Sequence, residues 1–298
     1  LISEIGGNPV VALQGAILKK MSDNNVHSFL SNKKKFPIPL GNCIGGGAHT
    51  KYISTDIQEF LLISFEKSFV DRVKLSRHIY DYIGKVTKAK KKTDEGAFVL
   101  GKTDTEVLDF LCGVVDKYKD EGYKIEFGLD IAATQFYKNK KYIYNNFSPC
   151  SKKEVLSKAE QIMFVNEMIK DYDLSYVEDP LNEEDFYGFS KISKKTLVCG
   201  DDLITTSIDR LKKGLKSVNC IIVKPNQIGS LIKTKEIIEF AHKNDIKTVI
   251  SHRSGETLDP LIAHLAVGFG TEYIKTGIFG KEREVKLNEL VKIEKTLA

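Results

Sequence analysis

The chain predicts an α/β fold, a (β/α) barrel, and three observations carry that prediction. Short β-branched apolar runs alternate with amphipathic helical stretches, the pattern of a parallel sheet built with crossovers. These runs end in a charged or polar group: Asp130, Glu178, Asp201, Lys224, His252 and Lys275. From Glu178 onward the next such end falls 23 to 28 residues later, the length of one strand, one helix and two short connections. In a barrel of this kind the C-terminal strand ends converge on one face, so each strand delivers one group to a shared site.

Taken in order, residues 8–24 carry apolar positions at helical spacing, with Asn8 as N-cap and Pro9 in the first turn. The run 31–41 (SNKKKFPIPLG) predicts a linker, because Pro37 and Pro39 exclude a helix. Lys33, Lys34 and Lys35 within it predict a solvated turn, since no aromatic residues interleave them as a nucleic-acid surface would. GNCIGGGAHT (41–50) follows, a glycine-rich loop ending in His49 whose spacing is not that of a dinucleotide fingerprint. STDIQEFLLIS predicts a strand carrying Glu59, and a helix is expected from Phe69 to Lys85. The basic run Lys88, Lys90, Lys91 and Lys92 predicts a mobile exposed loop. Glu95, beside Gly96, reads equally well as a turn residue or an active-site carboxyl.

The longer gap between Asp130 and Glu178 has room for the insert KNKKYIYNNFSPC and a helix from Lys153 to Tyr172. Beyond it, Cys220 to Val223 and Thr248 to Ile250 look like strands buried on both faces. The helix between them carries Leu231, Ile232, Ile237, Ile238, Phe240 and Ala241.

Composition sets the scale. With 298 residues, 42% of them hydrophobic, the chain can build one large barrel. No apolar run reaches the roughly 18 residues of a membrane span, and no signal peptide is expected at its start. Five cysteines, odd in number and without a CxxC pair, predict reduced core thiols and a cytoplasmic protein. A net charge of +5 is mild and fits an anionic small molecule as easily as no charged partner; neither nucleic acid nor membrane is expected as a partner.

Three acids on strand ends, Asp130, Glu178 and Asp201, form an all-oxygen donor set that suits magnesium. The plainer reading is that they cap helices or pair with lysines. Lys224 and Lys275 sit at equivalent strand ends across from the acids, and a lysine among cationic neighbours and a metal has its pKa lowered towards that of a working base. His252, Arg253 and Ser254 precede a helix expected to begin near Gly255, and together they suit a phosphate or carboxylate. Ser254 reads also as that helix's N-cap.

At this point the residues resemble the enolase (phosphopyruvate hydratase) family from about Gly7 to the C-terminus. GGGAHT, DIQEF, TDEGAF, GLDIAATQFY, YVEDPLNEEDFYGF, GDDL, VKPNQIGS, SHRSGET, IKTG and KERE follow in that family's order and approximate spacing. The resemblance implies an enolase-type TIM-like barrel over 37–298, preceded in 1–36 by the last helices of an N-terminal capping domain. It implies Mg2+ held by Asp130, Glu178 and Asp201. It implies Lys224 as the base that removes the C2 proton of 2-phosphoglycerate, and Glu95 assisted by Glu59 as the acid side that expels the C3 hydroxyl to give phosphoenolpyruvate. His252 and Lys275 are implied to contact substrate, His49 to be a further substrate-side histidine, and Arg253 and Ser254 to form the phosphate site. Departures include TDEGA at 93–97, Gln135 and Pro225, none of which removes a named group. The mobile lid of the capping domain is not among the matched motifs, which puts turnover and the family's homodimer in doubt. The alternative is a non-catalytic relative that binds a phospho-acid or a protein partner.

Overall fold

The structure is a computed structural model describing residues 2–31, 35–151 and 153–297; Lys33 and Lys34 of the expected basic turn lie outside the described residues. In chain order its strands are β1 (Ile38–Gly45), β2 (Glu59–Ser64), β3 (Ile125–Asp130), β4 (Tyr137–Lys138), β5 (Lys141–Tyr144), β6 (Glu154–Ser157), β7 (Tyr176–Glu178), β8 (Leu197–Gly200), β9 (Cys220–Val223), β10 (Lys247–Ser251) and β11 (Tyr273–Lys275). Three helices precede β1: α1 (Ile2–Ile5), α2 (Gly7–Met21) and α3 (Val26–Leu30). The others are α4 (Phe69–Thr87), α5 (Asp104–Asp120), α6 (Lys158–Asp171), α7 (Phe186–Phe189), α8 (Ile208–Gly214), α9 (Pro225–Ile228), α10 (Leu231–Lys243), α11 (Leu261–Phe269) and α12 (Lys281–Leu297).

Eight strands close a barrel in the order β1-β11-β10-β9-β8-β7-β3-β2, and β4–β6 form a separate small sheet. All barrel pairings are parallel except those of β2, which runs antiparallel to both β1 and β3. The first residue of β2, Glu59, therefore lies level with the last residue of β3, Asp130. β2 and β9 are buried along their whole length, which is why they read as near-continuous apolar runs. Inside the ring Leu40, Leu61, Ile63, Tyr176, Ile222 and Val249 fill the axis together with Cys199 and Cys220. The helices pack outside it, α5 and α6 each opened by a capping box, Thr103 with Glu106 and Ser157 with Glu160.

Several local expectations give way. The predicted linker contains the start of β1, with Pro39 at its second residue, where a parallel neighbour pairs it with Ile274. Gly6, not Asn8, caps α2; the Asn8 side chain instead accepts from Asn226 at 2.8 Å. The helix expected near Gly255 is absent: residues 252–260 form an irregular loop, and α11 starts only at Leu261, behind Pro260. The basic run is not free either, because Lys91 lies 4.0 Å over the Tyr52 ring and Lys92 3.1 Å over Phe279. Cys43, Cys199 and Cys220 are buried free thiols, whereas Cys150 is exposed. Among the described residues no helix is long and apolar enough to cross a membrane.

The N-terminal helices dock on the barrel through a histidine pair. His27 on α3 and His264 on α11 bring their Nδ1 atoms to 3.2 Å, and Glu289 of α12 lies 3.3 Å from His264 Nε2. Burial holds both imidazoles below their ordinary value; Glu289 opposes this, and Lys19 adds to it at His264. Just below the ordinary value of about 6.5 the unfolded chain thus binds more protons than the folded one. The contribution is fully present above that pH and is lost as pH falls beneath it. The melting temperature is expected to drop between pH 7 and pH 5, and His27→Leu to flatten that slope; an unchanged slope would remove the pair as its source.

Candidate active site at the strand-end rim

Each predicted group reaches the rim through its own strand. Asp130, Glu178 and Lys275 are the last residues of β3, β7 and β11, while Asp201, Lys224 and His252 directly follow β8, β9 and β10. Glu59 arrives from the opposite direction, at the start of the inverted β2. His49 comes from the short turn after β1, and Glu95 from the turn 93–97. That turn is fixed by Gly96, whose φ of +83° suits glycine and where a Cβ would lie 2.7 Å from the Phe279 carbonyl oxygen. Tyr80 donates its hydroxyl to the Gly96 carbonyl at 2.5 Å.

Lys275 is the hub. Its buried ammonium lies 2.8 Å from Asp130 Oδ2, 3.0 Å from Glu178 Oε1 and 3.3 Å from Glu59 Oε2. Burial alone would lower its pKa, but Asp130, Glu178 and Glu59 outweigh it and hold the ammonium well above the usual range. The acids feel the reverse. Burial, then Asp130, pushes Glu178 well above the carboxylate range; burial, with Glu95 and Asp130 behind it, does the same to Glu59. One lysine does not neutralise this many acids.

On the other flank Lys224 pairs closely with Asp201. Burial works to lower the Lys224 ammonium, yet the Asp201 carboxylate overcomes it and the pKa stands above its ordinary value. The expected lowering therefore does not occur while Asp201 is neutralised by nothing but this lysine. Behind them Asp179 accepts from the backbone N–H of Asp201 at 3.0 Å and of Asp202 at 2.7 Å. Burial, then Asp201, raises Asp202 to about 6.

The third grouping joins acids to imidazoles. His252 Nε2 lies 3.6 Å from Glu95 Oε1, and His49 Nε2 lies 3.8 Å from Glu59 Oε1 while its Nδ1 meets Asp94 at 2.7 Å. Burial pushes His252 down to about 3, so the ring is neutral at pH 7. Burial would raise Glu95, but its cationic surroundings bring the carboxyl well below the usual range. Of the groups that lower it, His252 and His49 act ahead of Lys275 and Arg283. The pair thus divides its states: Glu59 tends to hold a proton and Glu95 to lack one.

Arg253 and Ser254 are the outliers, since both are exposed on the 252–260 loop and the helix N-terminus expected behind them is missing. Sequence reasoning also passed over residues that hold the site in place. Tyr176 donates to Glu178 Oε2 at 2.6 Å, and Gln58 donates to Asp130 at 3.2 Å. The doublets Glu178-Asp179 and Asp201-Asp202 were visible, and Tyr176 shares the inward face of β7 with Glu178, a period-2 signal.

The donors suit a hard cation. Asp130, Glu178 and Asp201 offer oxygen alone, and Asp201 Oδ1 is buried without a hydrogen-bond partner. In the structure Lys275 bridges Asp130 and Glu178, and Lys224 pairs with Asp201. Among the described residues the closest groupings, each with ligand atoms within 4.8 Å of one another, are Asp179–Asp201–Asp202 and His49–Glu59–Glu95.

Comparison with known proteins agrees with this geometry. Residues 33–298 match the family described as enolase, C-terminal TIM barrel domain. The enolase of Archaeoglobus fulgidus is 37% identical over 99% of this chain and 76% of its own length. Those of Halorubrum lacusprofundi and Haloquadratum walsbyi are 39% and 40% identical, each over 98% of this chain and 76% of the relative. An inverted second strand in a closed eight-stranded barrel, two lysines set among rim acids, and matches of this extent place the chain in the enolase family.

Proposed function

We propose that the chain catalyses the magnesium-dependent, reversible dehydration of 2-phosphoglycerate to phosphoenolpyruvate. The observation that carries the reading is the convergence of two lysines and at least five carboxyl groups on one rim, with a neutral histidine beside the acids. Such a surplus of buried acid charge is unfavourable for folding and useful for chemistry.

Asp130, Glu178 and Asp201 would hold the magnesium. When bound, the ion supplies fixed positive charge against the negative charge that develops on the substrate carboxylate as the C2 proton leaves. The chain's own residues do the rest. Neutralising Asp201 and Glu178 removes the interactions that raise Lys224, leaving burial and Lys275 to lower its pKa and freeing the Nζ lone pair to accept the C2 proton. Lys275 keeps its charge and faces the same developing negative charge. On the opposite side Glu59 and Glu95 manage the proton that departs with the C3 hydroxyl as water; His49 and His252 flank them. Arg253 and Ser254, exposed and uncommitted to the barrel, are suited to the phosphate. The helices over residues 2–30 are read as the end of a capping domain, and residues from 37 on as the catalytic barrel.

The test is direct. With 2-phosphoglycerate and magnesium chloride, ultraviolet absorbance should report phosphoenolpyruvate formation that stops when the metal is chelated. A protein that binds both and yields neither product nor C2 deuterium exchange would instead be a non-catalytic phospho-acid binder.

A further inference from the structure

The loop that carries His252, Arg253 and Ser254 has neither strand nor helix of its own from residue 252 to 260. Something else must hold its shape. Two cations one turn apart on α12 reach it from below. Arg283, 3% exposed, donates Nη2 to the Ser254 carbonyl at 2.8 Å. Lys286, 0% exposed, donates Nζ to the Thr257 carbonyl and lies 3.5 Å from Glu256 Oε1. Burying an ammonium and a guanidinium is unfavourable unless their hydrogen bonds are met, and here the loop's own carbonyls meet them. Burial pushes the Lys286 ammonium below its ordinary value, against the pull of Glu256.

Other contacts fit the same function. Gly277, at φ +71°, lies where a Cβ would come within 3.1 Å of Arg283 Cγ, so the segment after β11 is packed onto that side chain. Arg283 also bears electrostatically on Glu95 and His252. Its position thus links the acid turn, the end of β11 and the 252–260 loop. Farther along, Lys19 of α2 ties Asp259 at 2.7 Å.

We propose that Arg283 and Lys286 are positioning residues that set the loop so that the Arg253 and Ser254 side chains present one fixed anion site. This rests on the reading of Arg253 and Ser254 as the phosphate site, but the positioning itself can be measured without it. Neither α12 cation touches the ligand; both act through carbonyls of the loop that does. A misplacement of about 1 Å at such a site is enough to cost roughly a hundredfold.

The experiment compares the parent chain with Arg283→Gln and Lys286→Met, and with the charge-preserving Arg283→Lys and Lys286→Arg in case the first pair folds poorly. Two quantities are read: amide hydrogen exchange over residues 252–258, and the affinity for inorganic phosphate in the presence of magnesium chloride. Exchange in the loop is expected to rise, and phosphate affinity to fall about tenfold to a hundredfold, while magnesium affinity stays as in the parent. Charge-preserving variants should fall between, because the cation remains but its donor atoms move. Folded variants whose loop exchange matches the parent would overturn the positioning role. Loop exchange that rises while the parent itself shows no saturable phosphate binding would leave the positioning role standing and sink the phosphate-site reading.

Discussion

Lys224→Ala is expected to reduce both C2 deuterium exchange and phosphoenolpyruvate formation by roughly 10²–10⁴-fold, the range that a positioned general base contributes. Lys224 and Asp201 form a close pair, and in this reading the lysine is the base on that flank of the rim once its partner is neutralised. Glu95→Gln should behave differently. Glu95 and Glu59 face the leaving hydroxyl in this reading, so their loss should slow product formation more than exchange, which needs the base, the metal and the anion contacts but not the acid side. Proton exchange followed by NMR, beside absorbance of the product, separates the two steps. Equal losses in both assays for Glu95→Gln would place that carboxyl on the proton-abstraction side and force the roles to be redrawn.

Lys275→Met is expected to be the most damaging single change to the fold. It removes the cation that Asp130, Glu178 and Glu59 share and leaves buried acids facing one another, a situation that costs about 3–5 kcal/mol when one member of a buried pair is deleted. The sign with pH follows from the raised Glu178 and Glu59. Carboxyls whose folded pKa exceeds the unfolded one bind protons preferentially in the folded state, so they favour folding as pH falls and oppose it as pH rises. The variant's deficit should therefore grow from the ordinary carboxylate range upward and shrink in acid. Added magnesium should raise its melting temperature more than that of the parent, since the ion replaces the missing charge. A variant as stable as the parent at pH 8 without magnesium would show that the acids are neutral without Lys275.

Much of the barrel was legible because buried parallel strands have a composition of their own. CIIV and TVI could hardly be exposed, and their regular spacing with helices left few alternatives. β1 was hidden by Pro37, Pro39 and four glycines among residues 41–47, since its pairing comes from β2 and β11 rather than from its own propensity. The direction of β2 left one faint mark, an acid at the beginning of the apolar run instead of at its end. The loop after β10 misled for a physical reason: SHRSGET resembles a helix start, but no hydrophobic face follows it before Pro260. Lys286 was invisible because KEREVKLNEL alternates charges as a solvated helix does, and only tertiary packing buries that lysine. Whether a carboxylate meets a metal, a lysine or another acid is likewise decided in three dimensions.

The order of strands around the ring has one further consequence. Nearly every neighbouring pair joins segments that follow one another along the chain, and the exception is β1 with β11, where Ile38 meets Tyr273. That seam brings together stretches far apart along the chain, and the entropy of closing so long a loop falls on it. Lys275 is the last residue of the strand that makes the seam. Glu59, Asp130 and Glu178 all belong to the arc from β2 to β7, on the far side of it. The strand that makes this seam is thus also the one that brings the counter-charge to the mouth of the ring.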